Sequence, residues 1–115
     1  MHDGRAELLP YLPALRARLR DDRLARRREL AELLRRADRS AVAFGRRAPM
    51  VGHEATTLLI DALRRDLGDI EVALHRMHVG RYGRCLYCDR DMPLDQLMAV
   101  PQSDSCVECR RARSA

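Results

Sequence analysis

The chain has 115 residues, of which 46% are apolar and only 3% aromatic, and its 22 basic and 17 acidic residues give a net charge of +5. This length suffices for one modest domain or two very small ones. No apolar run approaches the roughly 20 residues needed to cross a bilayer, so we predict no membrane association. The N-terminal residues mix acidic and basic side chains without the apolar stretch of a signal peptide, and we therefore expect a cytoplasmic protein.

Two long helical segments are predicted after an N-terminal segment, residues 1–13. The stretch from Ala14 to Ser40 contains no glycine or proline and is rich in strong helix formers, and a second helix is predicted from about Glu54 to Val79. Apolar residues recur in the second helix at alternating steps of three and four, as in a coiled coil. These positions are Ile60, Leu63, Leu67, Ile70, Leu74 and Met77.

The connection between the two helices is predicted over residues 41–53, where Gly45, Pro49 and Gly52 interrupt the helical pattern. Two helices joined by a short connection pack as an antiparallel pair. Residues 14–79 are therefore predicted to form a helical hairpin whose tip is this connection. An isolated hairpin buries little surface, so it needs a stabilising module at its open end.

Residues 80–115 supply that module through two pairs of cysteines with the spacing CxxC. Cys85 and Cys88 form the first pair, and Cys106 and Cys109 form the second after 17 intervening residues. Four thiolates complete a tetrahedron around one Zn²⁺ and leave no open coordination position, so the metal is predicted to be structural. Two disulfides or a redox-active CxxC pair are the alternatives. The predicted fold is thus mainly α: an antiparallel two-helix coiled-coil hairpin joined to a small four-cysteine zinc finger.

Charge is distributed unevenly between the two helices. Residues 14–47 carry 12 Arg and 5 acidic residues, whereas residues 54–79 carry 3 Arg and 5 acidic residues. The first helix therefore offers a basic surface, and its run Arg26, Arg27 and Arg28 is the candidate contact for an acidic partner or for phosphates. Acidic residues interleaved on the same helix favour the alternative that these arginines form ion pairs within that helix.

Three runs of the finger, from Tyr82 to Cys88, from Leu97 to Pro101 and from Cys106 to Cys109, form a recognisable pattern together with the upstream run from Ile70 to Arg81. In this pattern the chain resembles the DksA/TraR family of four-cysteine zinc finger regulators. The resemblance implies a bacterial transcription regulator that binds RNA polymerase, with its coiled coil inserted in the secondary channel. It also implies an acidic tip motif, Asp-x-x-Asp-x-Ala, at the start of the second helix.

The tip departs from that motif. Ala55 matches its last position, but Met50 and His53 occupy the two acidic positions, and Arg46 and Arg47 precede them. We therefore expect this chain to enter the channel without reproducing the regulation given by relatives with an acidic tip.

Other function classes receive less support from the residues. A nucleic-acid-binding module, or a protein-interaction module that does not act on polymerase, is the alternative function. No phosphate-binding glycine loop and no free Cys/His pair is found, so we predict that the chain is not an enzyme. We expect a monomer.

Overall fold

The structure of the chain is a computed structural model that describes residues 4–44 and 50–114, with side chains described over residues 6–40 and 54–114. A short helix α1 (Gly4–Leu8) and a 3-10 turn (Leu9–Tyr11) lead into the long helix α2 (Leu12–Phe44). The second long helix, α3, spans Met50–His78. Two short helices, α4 (Leu94–Ala99) and α5 (Val107–Ser114), belong to the cysteine-containing region, and no β-strand occurs in the described residues.

Helices α2 and α3 pack against each other as the predicted hairpin. The molecule measures 62 × 34 × 21 Å along its principal axes, as expected of a long arm on a compact base. The predicted mainly α fold, with a hairpin followed by a four-cysteine cluster, is confirmed. None of the described helices combines the length and apolar character that crossing a membrane requires.

Both long helices extend further toward the tip than predicted. Helix α2 continues to Phe44, and α3 begins at Met50 rather than near Glu54 and includes Gly52. A glycine in the first turn of a helix leaves no internal hydrogen bond unmade, because the first four backbone N–H groups have no partner within the helix. The glycine therefore did not break the helix here, and residues 45–49 lie outside the described part.

Helix α3 ends at a glycine in the left-handed conformation. Gly80 has a φ of 75°. Its N–H donates to the carbonyl of Met77, and the N–H of Arg81 donates to the carbonyl of Arg76. This pair of bonds satisfies the last carbonyls of the helix and turns the chain toward the cysteines.

The hydrophobic core lies at the base, where α1, the hairpin and the cysteine region meet. It is built from ten buried residues: Leu8, Leu15, Leu19, Ile70, Ala73, Met77, Tyr82, Cys85, Met92 and Leu97. In α3 every second member of the predicted seam is buried, namely Leu63, Ile70 and Met77, whereas Ile60, Leu67 and Leu74 are half-buried. Of the two rows of apolar side chains on α3, only the row of Leu63, Ile70 and Met77 is therefore fully buried against the rest of the protein.

Candidate metal centre

The four cysteines come together in the base, where Cys85 belongs to the hydrophobic core and the other three pack against it. Their sulfur atoms all lie within 4.8 Å of one another. All four are free thiols; Cys85 is buried and the other three are half-buried. The segment between the pairs positions them: the N–H of Cys85 donates to the carbonyl of Arg90, and the N–H of Leu86 donates to that of Asp104.

The distances between the sulfurs fit a metal ion better than disulfides. The Sγ atoms of Cys88 and Cys106 are 3.8 Å apart. A tetrahedron with Zn–S bonds of 2.3 Å places its sulfurs about 3.8 Å apart, whereas a disulfide requires about 2.05 Å. The geometry and the all-thiol donor set are therefore those of a closed, structural metal site.

Backbone N–H groups point at the sulfurs. The N–H of Cys106 lies 3.3 Å from the Sγ of Cys85, and the N–H of Cys109 lies 3.4 Å from the Sγ of Cys106. Burial raises the pKa of the Cys85 thiol, but backbone N–H groups of Cys106, Cys88 and Tyr87 outweigh it and lower the pKa to about 6. Such donors stabilise the thiolate that a metal requires.

Because the four sulfurs lie so close together, all four cysteines can be thiolates only if a cation lies between them. The neighbouring Cys106 thiol is the largest of the effects that raise the pKa of Cys109, to about 12. Four negative sulfurs within a few ångströms repel one another unless a positive ion lies between them. Zn²⁺ supplies that charge, so the cysteines fit the ion that their spacing predicts.

The cysteine region is tied to the hairpin by polar contacts that the sequence alone did not indicate. The Arg18 guanidinium of α2 donates to the carbonyls of Met98 and Ala99 at the end of α4. The hydroxyl of Tyr82 donates to the carbonyl of Pro101 at 2.8 Å, and burial raises the pKa of Tyr82 to about 12. The Arg18 bonds join the finger to the arm, and the Tyr82 bond holds two segments of the finger together.

Two further side chains complete this junction. Arg76, in the last turn of α3, donates to the carbonyls of Arg81 and Arg84, and Gln102 donates to the Asp66 carboxylate at 2.7 Å. Carbonyl groups of a turn have no signature in the sequence, so arginines that bond to them cannot be distinguished from solvated ones beforehand.

The predicted basic arm is largely engaged within the protein. Arg26 pairs with Asp66 of α3 at 2.9 Å, and Arg27 pairs with Glu71 of α3 at the same distance. Arg28 is exposed and has no ion pair among the described residues. The expected pairs within α2 are therefore not found for these three arginines; Arg26 and Arg27 pair across the hairpin instead, because the register between α2 and α3 brings them beside Asp66 and Glu71.

The predicted tip residues fall mostly outside the described side chains. Arg46 and Arg47 lie outside the described residues. Met50 and His53 belong to the first turns of α3, but only the backbone is described there, whereas Ala55 is described and exposed. Met50, His53 and Ala55 thus lie at the N-terminal end of α3, whereas the cysteines follow its C-terminal end.

Comparison with known proteins gives a match in structure. No family model matches the chain, and no curated protein matches it in sequence. Among solved structures, the chain is similar to the transcription factor DksA2 from Pseudomonas aeruginosa, with 22% identity and a TM-score of 0.53 over 96% of this chain and 83% of that one. The fold implied by the sequence resemblance is thereby confirmed: this chain has the fold of a DksA-type transcription factor.

Proposed function

We propose that this chain is a cytoplasmic transcription regulator that binds RNA polymerase, its hairpin entering the secondary channel, and that one structural Zn²⁺ bound by Cys85, Cys88, Cys106 and Cys109 holds its base together. The observation that carries the proposal is the shape: a narrow two-helix arm projects from a compact base in a fold shared with a transcription factor. Helix α2 has 33 residues, which corresponds to about 50 Å at 1.5 Å per residue.

The four-thiolate site supports a binding protein rather than a metalloenzyme. Four cysteines use every position of a tetrahedral ion, so no position is left for a substrate or an activated water. The metal then acts through folding, because it joins two CxxC pairs that are separated by 17 residues of the chain. The chain's own residues orient the arm through the contacts of Arg18 and Arg76 with the finger backbone.

The tip determines what the regulator does once it is bound. Carboxylates near a polymerase active centre can act on its Mg²⁺ or on the groups that hold it, whereas Met50 and His53 offer no anionic oxygen. We infer that the chain blocks the channel or displaces acidic-tip proteins, and does not reproduce their regulation.

Binding in the channel is tested by photo-crosslinking to purified bacterial RNA polymerase. A photoreactive amino acid replaces Ala55, in the first turns of α3, or Ala112, in α5; both are exposed alanines. We expect the Ala55 probe to crosslink to polymerase segments around the active centre and the Ala112 probe to crosslink only outside the channel. Failure of the wild-type chain to bind polymerase would remove the proposal.

The tip is tested by in vitro transcription with the wild type beside the double variant Met50→Asp/His53→Asp. We expect the wild type to lower transcription without distinguishing promoters that respond to acidic-tip regulators from those that do not, and the double variant to gain that distinction. If the wild type already distinguishes them and the variant changes nothing, the inference about the tip is wrong.

The basic arm is tested by reversing the charge of Arg28 alone. Reversing Arg26 or Arg27 would place a carboxylate opposite Asp66 or Glu71 and weaken the hairpin itself. Arg28→Glu leaves these pairs intact. If the basic arm faces an acidic surface of the channel, this single change weakens polymerase binding and makes it less salt-sensitive, while the melting temperature stays the same.

A further inference from the structure

An exposed aromatic ring lies within the first cysteine pair of the finger. Tyr87 stands between Cys85 and Cys88, and its side chain is 51% exposed. The other tyrosine of the finger is different: Tyr82 is buried, and its hydroxyl donates to the carbonyl of Pro101. The ring of Tyr87 thus lies at the surface, and its hydroxyl has no partner among the described residues.

An arginine of α5 lies over this ring. The Cζ atom of Arg113 is 4.1 Å from the centroid of the Tyr87 ring. This distance is that of a cation–π interaction. The guanidinium covers one face of a side chain that stays half exposed, so part of the aromatic surface is left for a further planar group. The contact therefore places a positive charge directly beside an open aromatic surface.

Helix α5 carries positive charge that the described protein does not balance. Its single acidic residue, Glu108, pairs with Arg90 at 3.1 Å, and Arg84 lies beside both aspartates that follow the first cysteine pair. The arginines of α5 are all exposed, and none lies within ion-pair distance of a described carboxylate. These residues are Arg110, Arg111 and Arg113.

The cysteine sulfurs do not take up these guanidinium groups in the described contacts. The Sγ atoms of Cys85 and Cys106 accept from the backbone N–H groups of Cys106 and Cys109. No residue of α5 is buried. The arginines of this helix are therefore available to a partner outside the chain.

The combination of ring and charge selects a single strand of nucleic acid. Unpaired bases stack on aromatic side chains, and guanidinium groups bind the phosphates beside them. Leu86 and Val107, one in each cysteine pair, are about half exposed and add apolar surface for a base to cover. A duplex keeps its bases stacked on one another and presents only their edges. An acidic protein surface would use the arginines without needing the ring.

We propose that the finger binds single-stranded nucleic acid, with Tyr87 stacking on a base and the three arginines of α5 contacting phosphates. We call these four residues the knuckle surface. It adds a second activity to the proposed function, because it uses neither the tip of the hairpin nor the long helices.

The test is a fluorescence anisotropy titration of a labelled oligouridylate of about eight nucleotides with the zinc-loaded full chain. The ring is tested by Tyr87→Leu and by the conservative Tyr87→Phe. Tyr11→Leu is the matched control, because Tyr11 is 43% exposed in the 3-10 turn near the start of the chain. Circular dichroism and zinc analysis check that each variant is folded and loaded.

We expect Tyr87→Leu to weaken binding at least about fivefold, and Tyr87→Phe and Tyr11→Leu to change it less than about twofold. An oligothymidylate of the same length should bind within about threefold of the oligouridylate, because both strands offer bases and phosphates to the same groups. An RNA duplex should bind more weakly than either strand.

The charge is tested by the salt dependence of binding. Each phosphate contact to a single strand contributes about −0.7 to the slope of log K against log salt concentration, so three arginines predict a slope of about −2. Arg111→Gln/Arg113→Gln should reduce it to about −0.7. Arg28→Gln, at an exposed arginine of α2 without an ion pair among the described residues, is the matched control and should leave the slope unchanged.

Four results would overturn the proposal: no saturable binding of the oligouridylate, equal losses in Tyr87→Leu and Tyr11→Leu, equal losses in the arginine variant and Arg28→Gln, or tighter binding of the duplex than of the single strands. Unchanged binding in Tyr87→Leu would also overturn it, because a surface that needs only the arginines suits an acidic protein partner. None of these measurements uses polymerase, so the knuckle surface and the proposed function can fail separately.

Discussion

The base of the molecule and the distal half of its hairpin are built from the same kinds of residues and stabilised differently. At the base, Leu15, Leu19 and Ile70 are at most 2% exposed. In the distal half, Leu33 and Ile60 are only half-buried, and Leu58 is 67% exposed. A two-helix arm has no third element to cover its outer faces, so its leucines close only one side.

Polar contacts follow the same division. Ion pairs between the helices occur in the half nearer the base, where Arg26 meets Asp66 and Arg27 meets Glu71. Farther out, the described pairs lie within α2, where Glu32 contacts Arg35 and Arg39. The hydrogen bond from Arg35 is the largest cause that lowers the pKa of Glu32. The distal arm is therefore stabilised as individual helices, and the base as a packed domain.

Loss of the metal should produce the largest difference in stability between the base and the hairpin arm. In Cys88→Ser, or after chelation of zinc, we expect residues 82–111 to lose their structure while α2 and α3 keep much of their helicity, because binding free energies near ~10 kcal/mol are characteristic of such sites. Metal analysis and amide hydrogen exchange provide the measurement. Val107→Ser, at an exposed position in the same finger, is the control and should retain zinc. A fully folded, zinc-free protein would contradict the proposed site.

Side-chain truncation should cost more at the base than in the distal arm. Ile70→Ala removes a fully buried side chain, and we expect a loss of about 2 to 5 kcal/mol in the free energy of unfolding. Leu59→Ala, at a side chain that is 53% exposed in the distal half, should cost less than about 0.5 kcal/mol. Urea denaturation of both variants checks the pair. Similar losses would show that the distal arm also has a packed core.

Substitution of alanine for either of two glycines should change the stability in opposite directions. Gly83, at the base, has a φ of 93°, and a Cβ there would lie 2.6 Å from the Cδ2 of Leu8. Gly83→Ala should therefore cost about 1 to 3 kcal/mol through backbone strain. Gly68, in the exposed interior of α3, has nothing within 4 Å of an added Cβ. Gly68→Ala should raise the stability by about 0.5 to 1 kcal/mol, and thermal melts measure both changes.

The stability of the base should also depend on pH in the alkaline range. Burial raises the pKa of Tyr82 to about 12, above its ordinary value of 10. The folded state therefore holds this proton more tightly than the unfolded state, and its contribution to stability is present below pH 10 and lost between pH 10 and 12. Tyr82→Phe removes the bond to Pro101, which should cost about 0.5 to 1.5 kcal/mol at neutral pH. The variant should also lose less stability than the wild type between pH 10 and 12.

The long-range pattern of the fold was predictable, and the local packing was not. The three-four spacing of α3 and the two CxxC pairs predicted the hairpin and the cysteine cluster. The spacing did not show that Ala73 is buried while Leu67 is only half-buried, because two helices leave one row of the seam near solvent. Leu24 and Leu34 of α2, apolar in the sequence, are exposed for the same reason.

The N-terminal segment shows a second limit of the sequence. Leu8 belongs to the core and lies against Gly83, yet nothing in residues 1–13 indicates a distant partner. The basic arm is a third case, since the partners of Arg26 and Arg27 are fixed by the register between α2 and α3. The cysteines were predictable because their ligand geometry is encoded by local spacing, whereas these contacts depend on how separate elements meet.

The bonds from Arg18 to the end of α4 join the finger to α2, so the angle at this joint determines where the far end of the hairpin lies. From Arg18 to Phe44, α2 extends for about 39 Å, so a tilt of about 5° at this joint displaces the far end by about 3 Å. Small rearrangements of the cysteine region at this joint are thus amplified at a distance, and Arg18 holds the angle of the arm together with Arg76 and Gln102. A finger that binds a partner at its own surface can in this way steer a tip that the partner never touches.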